Sequence, residues 1–498
     1  MKKMRTISLS LSLLLLVSVF MPCFLARPVV AQEPIKIGVF TPETILMGLW
    51  FYGPWTKQGF SLGLEYATTM MGYDNKNKTE AGRPYEVYYY DTQGDPAHAA
   101  LEAVKAIETD GIDILVGGTS SAVAATLSGI AEEYQKLYFI SPAAASSLTA
   151  ENFNPYIFRI ARNNWHDAYA GVTYAMDENY LNYSRFAFLA VDYSFGYDGV
   201  ESMKTLIDDW GGSVITIQYV DKDETDFSPY ILNLLDKDGD FDIEYLFIIW
   251  AGDFSHLYTA LESQHVADYM EVSGACIDIL SMNIIEASLT PPATYINSTG
   301  LCLYGYELPD NEVNDWMVAQ HVAQNIMPNY LFAQTYRVPE LFTASAFATA
   351  QFLVDVTNAV PDLDTDLMIN YLESGITINC PKGPTYLRPD DHQGLAEMYI
   401  AKAVNDTRPG SETENLVIAE LVETLDRNTV APPVASVWND EPYVPGGFAP
   451  ETTTTPTGTT TTPTEPPPPP PIDPMLLIAI GGGVLVLIVL VVVFARRQ

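Results

Sequence analysis

The chain has 498 residues, of which 62 are acidic and 25 basic, for a formal net charge of −37. Such a surface makes nucleic acid and anionic membrane poor partners, and the length exceeds what one compact domain usually holds. The six histidines are scattered, and no GxSxG, HExxH or Walker-type GxxxxGK occurs, which argues against an enzyme and against a resident cofactor or metal.

In chain order, residues 1–31 have the parts of a secretory signal: Lys2, Lys3 and Arg5, an apolar run from Ile7 to Phe20, and small residues at Val29 and Ala31 before Gln32. Cys23 follows Pro22, where a lipid-attachment motif wants a small residue, so it is expected to leave with the signal. β-Branched and aromatic runs then alternate with helical patterns: Ile35–Phe40, Tyr85–Tyr90, Ile112–Gly118, Leu137–Ser141, Phe186–Val191, Val214–Tyr219 and Tyr245–Ile249. Alternation of this kind predicts right-handed βαβ units and parallel sheets. Asp95-Pro96 reads as an N-cap with proline in the first turn.

The stretch Ile112–Ser147 holds two consecutive βα turns, Thr119-Ser120-Ser121 and Pro142-Ala143-Ala144-Ala145-Ser146-Ser147. Small residues, hydroxyls and helix N-termini at the carboxyl ends of parallel strands suit a small polar ligand. Neither turn pairs a nucleophile with a base, so the chemistry is that of holding a molecule. The alternation halts from Tyr156 to Asn164 and restarts at Phe186, which marks a hinge between two α/β lobes. Asp310–Glu373 is helical and returns to the first lobe, Pro381–Gln393 is rich in turn residues, and Met398–Val404 is a final strand of the second lobe.

The far end differs in composition. Glu451–Pro474 is a Thr/Pro-rich stalk with Ile472 as its one hydrophobic residue, too little to seed a core. Met475–Phe494 is an uninterrupted apolar run followed by Arg496-Arg497, so a single transmembrane helix with the ectodomain outside is expected. The organisation read from the sequence is signal peptide 1–31, first lobe 32–158, second lobe 159–304, first-lobe return 305–385, second-lobe return and C-terminal extension 386–448, stalk 449–474, transmembrane helix 475–494 and cytoplasmic tail 495–498. Sequons at Asn77, Asn182, Asn297 and Asn405 suit a glycosylated outer surface. Cys276, Cys302 and Cys380 allow one disulfide, Cys276 with Cys302 first, or three free thiols.

Six segments carry a family resemblance: IKIGVF, the GxxxGLExA of Gly59–Ala67, YYDTQGDPAHAALEAVKAIETDGIDILVGGTSS, YFISPAAAS, DYSFGYDG and RPDDHQGLAEMYIAKAV. In this order, over Ile35–Val404, they resemble the branched-chain amino acid and amide type of ABC-transporter substrate-binding proteins. The resemblance implies a type I periplasmic-binding-protein fold, two Rossmann-like lobes joined by a three-segment hinge, closing on a ligand and delivering it to ABC permease and ATPase subunits. It places the ligand's carboxylate at Ser120 or Ser121 and at Ala143, Ala144 and Ala145. The family's usual Thr stands here as Ala145, and Ser146 is the residue placed to compensate. In the second lobe it implies aromatic contacts at Phe195, with Tyr193 close by, and at Trp250. Asp278 takes the ammonium group, and Tyr52 covers the ligand.

Each position has a plainer alternative: Ser120 as helix N-cap, Phe195 and Trp250 as interlobe core, Asp278 as a turn or cap residue, Tyr52 as packing. The expected function is a membrane-anchored extracellular solute receptor with an archaeal type of anchor. The alternative is a sensory or adhesive ectodomain working through a partner membrane protein. The ligand stays open between amino acids, amides such as urea, aromatic acids and a small peptide.

Overall fold

The computed structural model describes residues 32–44, 52–73, 75–251, 254–273, 299–302, 304–324 and 338–446. In the first lobe, β1 (Ile35–Thr41), β2 (Tyr85–Asp91), β3 (Ile114–Gly117), β4 (Tyr138–Ile140) and β5 (Ile157–Arg159) pair in parallel in the order 2-1-3-4-5. Every residue of β3, β4 and β5 is buried, as strands covered on both faces must be. Three helices connect them: α1 (Tyr52–Thr69), α2 (Pro96–Lys105) and α3 (Ser121–Glu133). Asp95 caps α2 as expected, its carboxylate accepting from the His98 amide at 2.6 Å with Pro96 in the first turn.

The second lobe opens with α4 (Asn164–Met176) and continues through β6 (Arg185–Val191), α5 (Ser194–Asp209), β7 (Ser213–Val220), α6 (Ser228–Phe241), β8 (Tyr245–Ile249), α7 (Phe254–Ser263) and β9 (Glu271–Val272). Its four strands are parallel in the order 7-6-8-9. β10 (Thr299–Cys302) belongs to a separate antiparallel sheet that packs on α4.

The chain then returns through α8 (Glu312–Gln324), α9 (Leu341–Ala359) and α10 (Thr365–Leu372). α9 lies against α1 at backbone contact: a Cβ on Gly59 would fall 2.2 Å from the Thr343 carbonyl oxygen, and one on Gly63 2.4 Å from that of Phe347. The GxxxG spacing in the sequence is therefore a helix-packing groove.

β11 (Thr377–Cys380), β12 (Gly383–Arg388) and β13 (Gln393–Leu395) extend the first sheet beyond β5. The third crossing thus lies after Leu395, later than the sequence boundary at residue 385. The segment read as turn-rich is a pair of strands, because partners in β5 and β11 fix its extended form. β14 (Met398–Asn405) then enters the second lobe, between β10 and β15 (Val417–Leu425).

The final hairpin, β16 (Val437–Trp438) and β17 (Glu441–Pro442), goes back to the first lobe. The Val437 amide donates to the Ala150 carbonyl at 3.1 Å and Trp438 Nε1 to Glu132 at 2.9 Å. Glu373 accepts from the Tyr443 hydroxyl, from the Gly446 amide at 2.6 Å, and meets His392 Nε2 at 2.9 Å. His392 is buried and stacks on Phe158, so its place is structural.

Among the described residues no helix is long and apolar enough to cross a membrane. The signal segment, the stalk and Met475–Phe494 lie outside the described residues. Cys276 and the side chain of Cys302 do also, while Cys380 is a buried free thiol whose pKa burial pushes up to about 12. Asn77, Asn182 and Asn405 are exposed, and Asn297 is outside the described residues.

Candidate functional site

Each parallel sheet has one point where its winding reverses, between β1 and β3 in the first lobe and between β6 and β8 in the second. Loops diverge at such points and leave a crevice at the carboxyl ends of the strands. Here the two crevices share one cleft of about 820 Å³, counted to its open mouth. Thr119 and Ser121 line it after β3, Tyr193 and Phe195 after β6, and Trp250 after β8.

The polar wall is built by the backbone. Gly117 (φ +113°) and Gly118 (φ +80°) turn the chain from β3 into α3, and a Cβ on Gly117 would strike the Phe40 carbonyl at 2.3 Å. Only glycine fits such a turn. Ser120 stands at the N-cap of α3 but makes no side-chain cap, so the positive end of the helix opens beside the cleft. Ser121 Oγ accepts from the Ala145 amide at 3.2 Å, leaving its own proton to donate into the cleft.

The second turn is held from behind by Arg159, which is fully buried. Its guanidinium donates to the Ala145 carbonyl at 2.6 Å, the Thr149 hydroxyl at 2.5 Å and Gln393 Oε1 at 2.8 Å. Burial lowers its pKa to about 10, so it remains a cation at neutral pH. Ala144 lines the cleft; Ser120, Ala143, Ala145 and Ser146 do not. Ser146 is engaged elsewhere: its amide donates to Asp198 of α5 at 2.7 Å and its hydroxyl accepts from the Trp165 amide at 3.2 Å. Asp198 also accepts from the Ser147 amide at 3.2 Å and from Asn164 Nδ2 at 2.8 Å, joining the two lobes beside the cleft.

The apolar wall is aromatic. Tyr52 stacks on Phe342 at 3.9 Å between ring centres, and Trp250 meets Phe227 edge to face at 5.1 Å. Tyr193 is half-buried, and desolvation raises its pKa, so it stays a neutral hydrogen-bonding group.

The floor is the first interlobe connection. Asn163 and His166 form a capping box that starts α4, which puts Asp167 in the first turn, facing the cleft. Arg162 Nη1 donates to the Pro142 carbonyl at 2.8 Å, and its Nε lies 3.3 Å from Asp167 Oδ2. Burial raises the Asp167 pKa against the pull of Arg162. Thr119 Oγ1, Asp167 Oδ1 and Trp250 Nε1 are buried without a hydrogen-bond partner among the described residues, and all three residues line the cleft.

Of the residues expected from the sequence, Tyr52, Ser121, Ala144, Tyr193, Phe195 and Trp250 meet in this cleft; Asp278 lies outside the described residues. Sequence reasoning missed Arg162 and Asp167. The available signal was their charge, set in a connection between a buried strand and a buried helix, where charge needs a partner. Among the described residues no group of His, Cys, Asp and Glu is placed to hold a metal ion.

Comparison with known proteins agrees with this fold. The chain is 30% identical over 216 residues to the Leu/Ile/Val-binding protein homolog 4 of Brucella abortus, an alignment covering 41% of this chain and 48% of that relative. It thus spans about half the length of the curated relatives it matches. A solved structure of an ABC-type branched-chain amino acid transporter protein from Rhodopseudomonas palustris superposes with a TM-score of 0.64 at 29% identity, over 81% of this chain and all of that one. The closed leucine-, isoleucine-, valine-, threonine- and alanine-binding protein of Brucella ovis shares the fold, with a TM-score of 0.64 at 20% identity over 81% of this chain and 97% of its own. These relatives are binding proteins and not enzymes. With its residues 34–408 matching the family's sequence pattern, the chain belongs to the periplasmic binding protein family.

Proposed function

We propose that this chain is an extracellular solute-binding protein that captures a small carboxylate-bearing ligand, an amino acid before an aromatic acid or amide, and delivers it to an ABC importer. The observation that carries the proposal is the shared cleft, with hydroxyl donors and a helix N-terminus on one wall and aromatic rings on the other. The donors match a carboxylate, and the rings match an apolar or aromatic side chain. Hydrogen bonds to charged groups contribute about 1.5–3 kcal/mol each. Three or four of them offset the cost of association and leave micromolar affinity or better.

The same reading makes Met475–Phe494 a membrane anchor, the stalk its spacer and the ABC permease and ATPase subunits the partners. The test is a thermal-shift screen of the full-length chain against amino acids, amides and aromatic carboxylates. A ligand at about 100 times its Kd stabilises the fold by about 2.7 kcal/mol. Silence across the panel would overturn the reading in favour of a sensory or adhesive ectodomain.

A further inference from the structure

We propose that Asp167, braced by Arg162, reads the ammonium group of a zwitterionic ligand, which makes the ligand class an α-amino acid with an apolar or aromatic side chain. The inference rests on the solute-binding reading and sharpens it. Asp167 is 7% exposed, and its Oδ1 has no hydrogen-bond partner among the described residues. A buried carboxylate oxygen left in that state is costly unless something arrives to use it. Its other oxygen is 3.3 Å from Arg162 Nε. Arg162 is in turn tied to the Pro142 carbonyl at 2.8 Å, so the guanidinium is held where it is and does not swing round to cover Oδ1.

The chemistry of the other walls leaves this task to Asp167. Among the described residues lining the cleft it is the one carboxylate. Thr119 and Ser121 offer hydroxyl protons, which suit a ligand carboxylate, and their lone pairs are neutral acceptors, weaker partners for an ammonium than the carboxylate of Asp167. Phe195, Phe254 and Phe342 offer no polar atom at all. A ligand carrying one carboxylate and no amine would satisfy the donors, leave Oδ1 unused and bring a second negative charge toward it. An α-amino acid spans both needs.

The plainer explanation is that Asp167 simply favours the start of α4, where an acidic residue complements the helix dipole. That accounts for its place in the first turn, not for an unused oxygen buried in the cleft wall. Nor does it depend on Asp278, the position to which the family resemblance assigns the ammonium.

The test is isothermal titration of the full-length chain with leucine and phenylalanine against their amine-free analogues, isocaproate and hydrocinnamate. The amino acids should bind about 10- to 100-fold more tightly, the worth of one charge-assisted hydrogen bond. Asp167→Asn should lower amino-acid affinity by a similar factor and close the gap to the analogues, with Asp167→Glu restoring part of it. The inference fails if wild type binds the analogues as well as the amino acids, a measurement that needs no variant to fold. It also fails if the gap persists in Asp167→Asn and closes in Asp278→Asn. Should wild type bind neither amino acids nor any other carboxylate, the solute-binding reading fails with it.

Discussion

Asp198 links the lobes at the rim of the cleft, and its removal should loosen their closure by a calculable amount. In Asp198→Ala, two hydrogen bonds from first-lobe amides are lost, from Ser146 at 2.7 Å and Ser147 at 3.2 Å, together with the brace from Asn164 Nδ2 at 2.8 Å. The carboxylate is only partly buried, so the worth of an ordinary net hydrogen bond applies, about 1 kcal/mol for each interlobe bond. Closure then weakens by about 2 kcal/mol, a shift of roughly 30-fold in the closed-to-open ratio. Affinity falls by the loss of the binding-competent fraction, by up to about 30-fold if the free protein is mostly open and by less if it is mostly closed. Titration calorimetry reads the affinity, and small-angle scattering of the ligand-free chain reads the radius of gyration. Asp198→Asn, which keeps one acceptor, should fall between wild type and alanine. An unchanged Kd together with an unchanged radius in Asp198→Ala would refute the reasoning.

Three further outcomes follow from other contacts. Asp406 is held well below the usual carboxylate range, chiefly by Arg408, with Ser411 and Thr413 adding hydrogen bonds. Its contribution is therefore present above the ordinary carboxylate pKa and lost as pH falls through the folded value. Asp406→Asn should cost about 1–3 kcal/mol at pH 7, with the melting curves of the two proteins converging in acid. Asp167 has the opposite sign, since burial raises its pKa against Arg162, Lys382 and Arg159. The ligand-free fold gains stability as that group takes its proton, and calorimetry of Asp167→Asn without ligand at pH 7 should give a Tm no lower than wild type. Gly63→Ala drives a methyl to 2.4 Å from the Phe347 carbonyl oxygen and should lower stability by about 1–3 kcal/mol in chemical denaturation.

What could be read in advance divides by the range of the interactions involved. The strand Tyr245–Ile249 and the Asp95 cap are decided by neighbours in sequence, and both stand where the residues suggested. Gly383–Arg388 and Gln393–Leu395 are strands despite Pro384, Pro389 and the Asp390-Asp391 pair, because β5 and β11 supply their partners. In the cleft, Ser121 and Trp250 were legible as residues that follow strands. Ser146 looked equally suited, yet Asp198, distant in sequence, takes its amide. The pairing of Arg162 with Asp167 stayed hidden since it exists only where the first crossing runs beneath Pro142.

The clamp on Glu373 has a mechanical meaning. By holding Tyr443 and Gly446, it fixes the last described residues to the first lobe. Any pull from the chain beyond is delivered there, through a buried carboxylate and the strands around it, and bypasses the hinge. On the proposed reading of Met475–Phe494 as an anchor, the first lobe would be the fixed jaw and the second the swinging one, and a load on the tether would not prise the jaws apart.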